Sequence, residues 1–94
     1  MAKFRKKHVI IEAVKVTAML VEAMAAERNE MIPELIVRAG SKIGSMWTTD
    51  PHLIVKTPEG DMRANSGDWV IEDGNGEVYP CKPDIFDKTY DTMF

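Results

Sequence analysis

The sequence contains few of the residues that build disulfides and metal centres. Its 94 residues include one cysteine and two histidines. The single cysteine, Cys81, excludes an intrachain disulfide. His8 and His52 stand far apart, and no pair of these residue types has the short spacing of a metal site. We therefore expect neither a metal nor another cofactor.

Long apolar runs are also missing. No stretch approaches the roughly 20 consecutive apolar residues that cross a bilayer. The basic start leads into residues 9–11, but Glu12 and Lys15 interrupt the apolar core that a signal peptide would need. The sequence therefore predicts no membrane association and a cytoplasmic location.

Positive charge is scarce beyond the first residues. The net charge is -3, and cations concentrate at Lys3, Arg5, Lys6 and Lys7. Domains that bind nucleic acid usually carry a basic excess over a whole face. We expect a solvated basic start, with Phe4 packed on the domain, and no specific binding of DNA or RNA.

Length and composition indicate one folded domain, residues 1–94. Apolar residues make up 45% of the chain and charged residues 29%, close to the values of globular proteins. A chain of this length has a small core, and symmetric dimers are the commonest way for soluble proteins to bury more surface. We therefore expect a homodimer.

The first third of the chain predicts a strand followed by a helix. β-branched residues alternate over residues 6–16 as in a strand. Thr17 is a suitable cap for a helix over residues 18–29. Its apolar stripe, which we assign to core packing, contains Leu20, Ala23, Met24 and Met31.

The next segment is ambiguous. Residues 33–39 have the composition of a strand, but Pro33 at the first position and Gly40 beyond the end favour a short helix. Residues 41–49 are expected to form a loop, with residues 46–48 as a short strand within it.

The remaining sequence predicts an antiparallel meander and a final helix. Strands are expected over residues 53–56, 61–64, 69–72 and 77–81, with turns at 57–60, 65–68 and 73–76 and a helix over 83–89. The fold class is therefore α+β. We predict a small, curved, mainly antiparallel sheet of about five strands, with one main helix and short helices packed on it.

The hairpin of residues 69–81 has the most regular alternation. Trp69 and Ile71 share one strand face, and Val70 lies on the other. We predict that Trp69 is a core residue. The core is favoured over a binding groove for all four of these aromatic residues: Trp47, Trp69, Tyr79 and Phe86.

Several of these segments resemble a known family. The matching runs are the start through residue 13, residues 56–64, Gly67-Asp68-Trp69-Val70-Ile71, Gly76-Glu77-Val78-Tyr79-Pro80-Cys81-Lys82-Pro83-Asp84-Ile85-Phe86 and Thr89-Tyr90. With them the chain resembles a family of small tailed-phage and prophage proteins. The similarity covers about the first 17 residues and nearly all of residues 56–90. His8 departs from the pattern, where members usually have proline.

The resemblance implies a phage or prophage accessory protein and, with it, the cytoplasm of a host cell. It implies no activity, cofactor or catalytic residue for this chain. The segment of residues 18–52 carries no part of the resemblance.

Cys81 is the one candidate nucleophile. A catalytic cysteine needs a positive group or a base nearby, and Lys82, His8 and His52 are the candidates. A lone cysteine after Pro80 at a strand end is more often a small buried side chain. We predict that Cys81 is dispensable for function and that the protein is not an enzyme.

Acidic residues near turns offer a metal site as a second alternative. They are Asp61, Asp68, Asp73 and Asp84. Short carboxylates at turns usually accept hydrogen bonds from local backbone N–H groups. We favour that role over a Ca²⁺ or Mg²⁺ site.

Two functions remain. The first is non-catalytic binding of another macromolecule, an unidentified protein partner. The second is binding of a small nucleotide-like ligand, because aromatic rings beside cations suit base stacking. In both, the candidate surface consists of Trp69, Tyr79, Arg63 and Lys82.

Overall fold

The computed structural model describes residue 2 and residues 10–91. These residues have an α+β fold of three α-helices and six strands. In chain order the elements are β1 (Glu12–Lys15), α1 (Ala18–Ala25), a 3₁₀ turn (Asn29–Met31), α2 (Glu34–Ala39), a second 3₁₀ turn (Gly40–Lys42), β2 (Ile43–Met46), β3 (His52–Thr57), β4 (Gly60–Asn65), β5 (Trp69–Glu72), β6 (Val78–Cys81) and α3 (Pro83–Thr89).

The described strands form two antiparallel sheets of three strands each. The first sheet has the order β1-β5-β6 and the second the order β2-β3-β4. The described strands therefore form two sheets in place of the predicted single curved sheet of about five strands. The loop predicted over residues 41–49 contains β2, which pairs with β3 in the register Ile43↔Val55 to Met46↔His52.

A corner between β4 and β5 separates the two sheets. The Asp68 carboxylate accepts the backbone N–H of Asn65 (2.9 Å), and Gly67 adopts a φ of 96°. The N–H of Val16 donates to the Asp68 carbonyl oxygen (2.8 Å), and the Val16 carbonyl oxygen accepts from the N–H of Gly67 (2.8 Å). The chain therefore enters β5 beside β1 instead of turning back along β4.

The core lies between the inner faces of the two sheets and helices α1 and α2. Strand residues Leu53, Val55, Val70 and Val78 are fully buried. The rest of the cluster is supplied mainly by the helices and includes Val16, Leu20, Val21, Leu35, Ile36, Ala39, Ile43 and Ala64. The predicted stripe of α1 is confirmed at Leu20 and Ala23, but Met31 lies beyond the helix and is exposed.

The prediction that Trp69 is a core residue is wrong. Trp69 is half-buried, whereas Val70 beside it is fully buried. The register Trp69↔Cys81 and Ile71↔Tyr79 places these four residues on the outer face of the first sheet, opposite Val70, because opposed residues share a face. On this face Ile71 is buried and the other three are half-buried. Alternation separated the two faces correctly, and the smaller valine side chains occupy the inner one.

Helix α1 starts as predicted and ends earlier. Thr17 Oγ1 accepts the N–H of Leu20 (3.0 Å), which confirms the cap. The helix stops at Ala25 and not near residue 29. Glu27 has a φ of 56°, and the N–H of Arg28 donates to the Ala23 carbonyl (2.8 Å). This is a Schellman ending with a glutamate where glycine is usual.

We expect Glu27→Gly to stabilise the protein by about 1 kcal/mol, because L-residues other than glycine are strained at positive φ. Denaturant unfolding followed by circular dichroism measures the change. Glu30→Gly, in a 3₁₀ turn with ordinary φ, is the control and should destabilise slightly. A Glu27→Gly protein less stable than the parent would contradict the strain at this position.

The other boundaries agree with the sequence to within a few residues. The segment predicted over 33–39 is helical, and Pro83–Thr89 is a helix as predicted. The first strand begins at Glu12 among the described residues. The predictions for residues 6–9, for the basic start and for Phe4 lie outside the described residues.

Candidate functional site

The structure splits the predicted surface into separate parts. The Trp69 ring stacks on Phe86 of α3, with ring centroids 4.2 Å apart and planes 7° apart. Tyr90 lies against the same phenylalanine at 5.2 Å. One face of the indole is therefore occupied by the chain itself and is closed to a stacked base.

Tyr79 lies on the same sheet face as Trp69, in acidic surroundings. Burial raises the pKa of the Tyr79 hydroxyl, and the carboxylates of Glu59, Asp73 and Glu77 raise it further. Three negative groups around the hydroxyl also disfavour an approaching phosphate.

Lys82 stabilises the corner between the sheets. Its Nζ atom lies 3.1 Å from Oδ2 of Asp68, the carboxylate that also accepts the Asn65 N–H. Asp68 is 5% exposed. A buried carboxylate needs such partners, so Lys82 and Asp68 act as a structural pair.

Arg63 belongs to the other sheet. It lies on β4 opposite Ile54, and its guanidinium donates to Asp50 Oδ2 and Asn65 Oδ1, each at 2.5 Å. Within residues 10–91 its recorded partners are these polar groups and not an aromatic ring. The structure therefore does not bring Arg63 together with Trp69 and Tyr79.

Cys81 has the surroundings of an unreactive thiol. Partial burial raises the pKa of the Cys81 thiol, and the carboxylates of Asp68 and Asp84 raise it further. The thiol donates to the Lys82 carbonyl oxygen at 3.6 Å. His52 instead places Nδ1 2.8 Å from the Asp50 carbonyl oxygen. Thiolate formation is thus disfavoured, the reverse of what a nucleophile requires.

We expect Cys81 in the native protein to react with a thiol-specific reagent more slowly at pH 8 than in the unfolded chain. The labelling rate of the native protein should reach its midpoint at a higher pH. Because the pKa of the Cys81 thiol is raised in the folded protein, the protonated thiol contributes stability that is fully present below the pKa of the unfolded chain. It is lost as pH rises through the folded pKa. Cys81→Ser should remove this pH dependence and leave partner binding intact. Faster labelling of the native protein, with loss of binding in Cys81→Ser, would make the thiol functional.

Two of the four acidic turn residues have the predicted structural role. Asp68 accepts the Asn65 N–H, and Asp73 Oδ1 accepts the N–H groups of Asn75 (2.9 Å) and Glu77 (3.0 Å). Within the described part of the chain, no three acidic, histidine or cysteine side chains gather as metal ligands. Residues 10–91 also contain no helix long and apolar enough to cross a membrane.

An open groove lies between β1 and α2. Its volume is about 310 Å³, and its lining comprises Glu12, Ala13, Val14, Glu34, Leu35 and Arg38. Each of the two elements contributes both apolar and charged residues to it. It is an open groove and not an enclosed small-molecule cavity.

Arg38 connects the charged groups at this groove. Its guanidinium bonds Glu12, lies 3.0 Å from Glu72 and lies 3.8 Å from Glu34. The hydrogen bond that Arg38 donates to Glu72 raises the pKa of Arg38, and the negative charge of Glu12 raises it further. Only the Glu34–Arg38 spacing was readable from sequence, since it is an i,i+4 helix pair.

A second exposed feature lies at the end of β2. Trp47 is 52% exposed, and Met46 beside it is 43% exposed. β2 is an edge strand of the second sheet. We define Met46 and Trp47 as the β2-end surface. The sequence suggested Trp47 for the core or for a groove, and it belongs to neither.

Comparison with known proteins identifies no relative: no family model, curated protein or solved structure matches the chain. The resemblance to small phage and prophage proteins therefore rests on the sequence runs alone.

Proposed function

We propose that the protein is a non-catalytic phage or prophage accessory protein that binds another macromolecule and acts as a homodimer in the host cytoplasm. The observation that carries the binding function is the exposure of Trp47, which directly follows Met46 at the end of the edge strand β2. The phage assignment is supported by the sequence runs, and the dimer by the small size of the chain.

An exposed tryptophan is informative because this residue gains much by leaving water. Aromatic side chains contribute most of the energy at many protein interfaces, and tryptophan is enriched among the dominant residues. The neighbouring methionine is adaptable and suits the same purpose. The β2-end surface is therefore the place where we expect a protein partner to contact the domain.

The alternative, a nucleotide-like ligand, has weaker support. Trp69 is stacked on Phe86, and Arg63 and Lys82 are engaged by Asp50 and Asp68. The candidate surface thus offers neither an open ring pair nor uncommitted cations near each other.

We expect Trp47→Ala to leave the free energy of unfolding within about 1 kcal/mol of the parent, since exposed side chains contribute little to folding. Partner recovery should fall at least about tenfold, as for a dominant interface residue. The measurement is affinity capture from phage-infected or prophage-induced host cells with quantitative mass spectrometry. Light scattering on the purified protein reports the oligomeric state.

Val37→Ala provides the matched control, because Val37 is an exposed apolar residue on α2. It should retain all partners. Unchanged capture by Trp47→Ala would remove the β2-end surface as the binding site, and a monomer at all concentrations would contradict the dimer.

A further inference from the structure

The outer edge of β1 has backbone groups that pair with no strand among the described residues. β1 is an edge strand, with β5 on its other side. Val16 directs both its N–H and its carbonyl toward the β5 side, to Asp68 and Gly67. Direction alternates along an antiparallel strand, so Ala13 and Lys15 direct their N–H and carbonyl groups outward. An added strand would find these donors and acceptors in register.

The groove defined above runs beside this edge. Ala13 and Val14 line its strand side, and Leu35 of α2 lines its helix side. A strand edge next to a helix is the geometry in which extended peptides bind by strand addition, with main-chain bonds on one side and side-chain pockets on the other. Leu35 is almost fully buried in the core, so the half-buried Ala13 and Val14 are the apolar residues of the lining that a peptide can reach.

The charges at the groove specify the sign of the partner. Three carboxylates, Glu12, Glu34 and Glu72, contact one guanidinium, that of Arg38. Subtracting the one cation from the three anions leaves two negative charges. The Glu34 side chain is 87% exposed and its contact with Arg38 is long at 3.8 Å, so its carboxylate can accept a second cation.

We propose that a partner protein inserts an extended basic segment into this groove, adding a strand to β1. This is a second interaction surface, made of other residues than the β2-end surface. Glu12 and Val14 share one face of β1, and Ala13 lies on the other. Lysine or arginine side chains of the segment lie on the Glu12 face and pair with Glu12 and Glu34, and its apolar side chains lie on the face of Ala13. The partner class is therefore a protein with alternating basic and apolar residues in an extended stretch.

The test uses fluorescence anisotropy with the full chain and a labelled octapeptide, Lys-Val-Arg-Val-Lys-Val-Arg-Thr. Its acidic counterpart has glutamate and aspartate in place of the cations. We expect the basic peptide to bind at least about tenfold more tightly, since charge complementarity selects between otherwise equal partners. No binding of the basic peptide, or equal binding of both, would overturn the proposal.

Glu34→Lys should weaken binding of the basic peptide by about three- to tenfold, as expected for reversing one exposed pair. Glu59→Lys makes the same change of net charge in the turn between β3 and β4. It should alter binding by less than about twofold, because distant exposed charges are screened. An equal effect of both variants would mean that binding depends only on the net charge of the protein, which would contradict a specific contact in the groove.

Main-chain pairing is tested separately. Ala13→Pro removes the outward N–H of β1, and proline is tolerated on edge strands. A peptide N-methylated at alternate residues tests the same bonds with the unaltered protein, so the test holds even if Ala13→Pro does not fold. Ala13→Pro should weaken binding by about three- to tenfold, as for one lost hydrogen bond, and the methylated peptide, which loses more than one, should bind about tenfold more weakly or worse. Unchanged binding of the methylated peptide would exclude strand addition.

A second copy of this chain is the competing occupant, since residues 3–7 are basic. Light scattering tests this alternative. If the protein self-associates, Glu34→Lys abolishes the association and the peptide does not bind, the groove belongs to the homodimer interface and the proposal is overturned. If Trp47→Ala loses partner capture but the basic peptide does not bind, strand addition at the groove is excluded and the proposed binding at the β2-end surface stands.

Discussion

Leu53→Ala is expected to lower the free energy of unfolding by about 3–4 kcal/mol, within the range for emptied leucine sites. Leu53 lies on the central strand of the second sheet and is 0% exposed. Its neighbours across the strands are Ser45 and Ala64. These side chains are too small to fill the space, so the cavity would persist. Guanidinium denaturation at equilibrium measures the loss.

Ile54→Ala is the matched control. Ile54 follows Leu53 on the same strand but is only half-buried on the opposite face. Its loss should cost about 1 kcal/mol, the usual value for a partly buried position. Equal losses for the two variants would mean that the core does not lie on the Leu53 face.

The second large effect is expected at the corner between the sheets. Asp68→Ala should lower the free energy of unfolding by about 2–4 kcal/mol, because a backbone N–H and a lysine ammonium group both lose the buried carboxylate to which they donate. The affected partners are Asn65 and Lys82. Since this corner directs β5 toward β1, the thermal transition should also broaden.

Asp68→Asn separates the hydrogen bond from the charge. The amide oxygen still accepts the Asn65 N–H, and the ion pair with Lys82 is lost. We expect about half of the alanine effect, since the two contributions are of similar size. Asp84→Ala, at an exposed position of α3, is the control and should change stability by less than about 1 kcal/mol. A silent Asp68→Ala would show that the corner forms without this carboxylate.

Most helices and strands could be predicted from the sequence, since each depends on residues close together in the chain; the exceptions are β2 and the end of α1. Thr17 predicted the start of α1, and Pro33 with Gly40 predicted α2 against its strand-like composition. Alternation assigned Val70 and Trp69 to opposite faces of β5 correctly. No residue of the groove was predicted as a site residue, because only its i,i+4 pair Glu34–Arg38 is encoded by residues close together in the chain.

The pairing of these elements depends on contacts between distant residues and became visible in the folded protein. β5 pairs with β1, more than 50 residues earlier, and not with β4 beside it in sequence. The same long-range pairing brings Glu12 and Glu72 to Arg38 and creates the groove. It also leaves Trp69 on the outer face under Phe86. The physical reason is that a period of two shows which residues share a strand face. It does not show which face another element will cover.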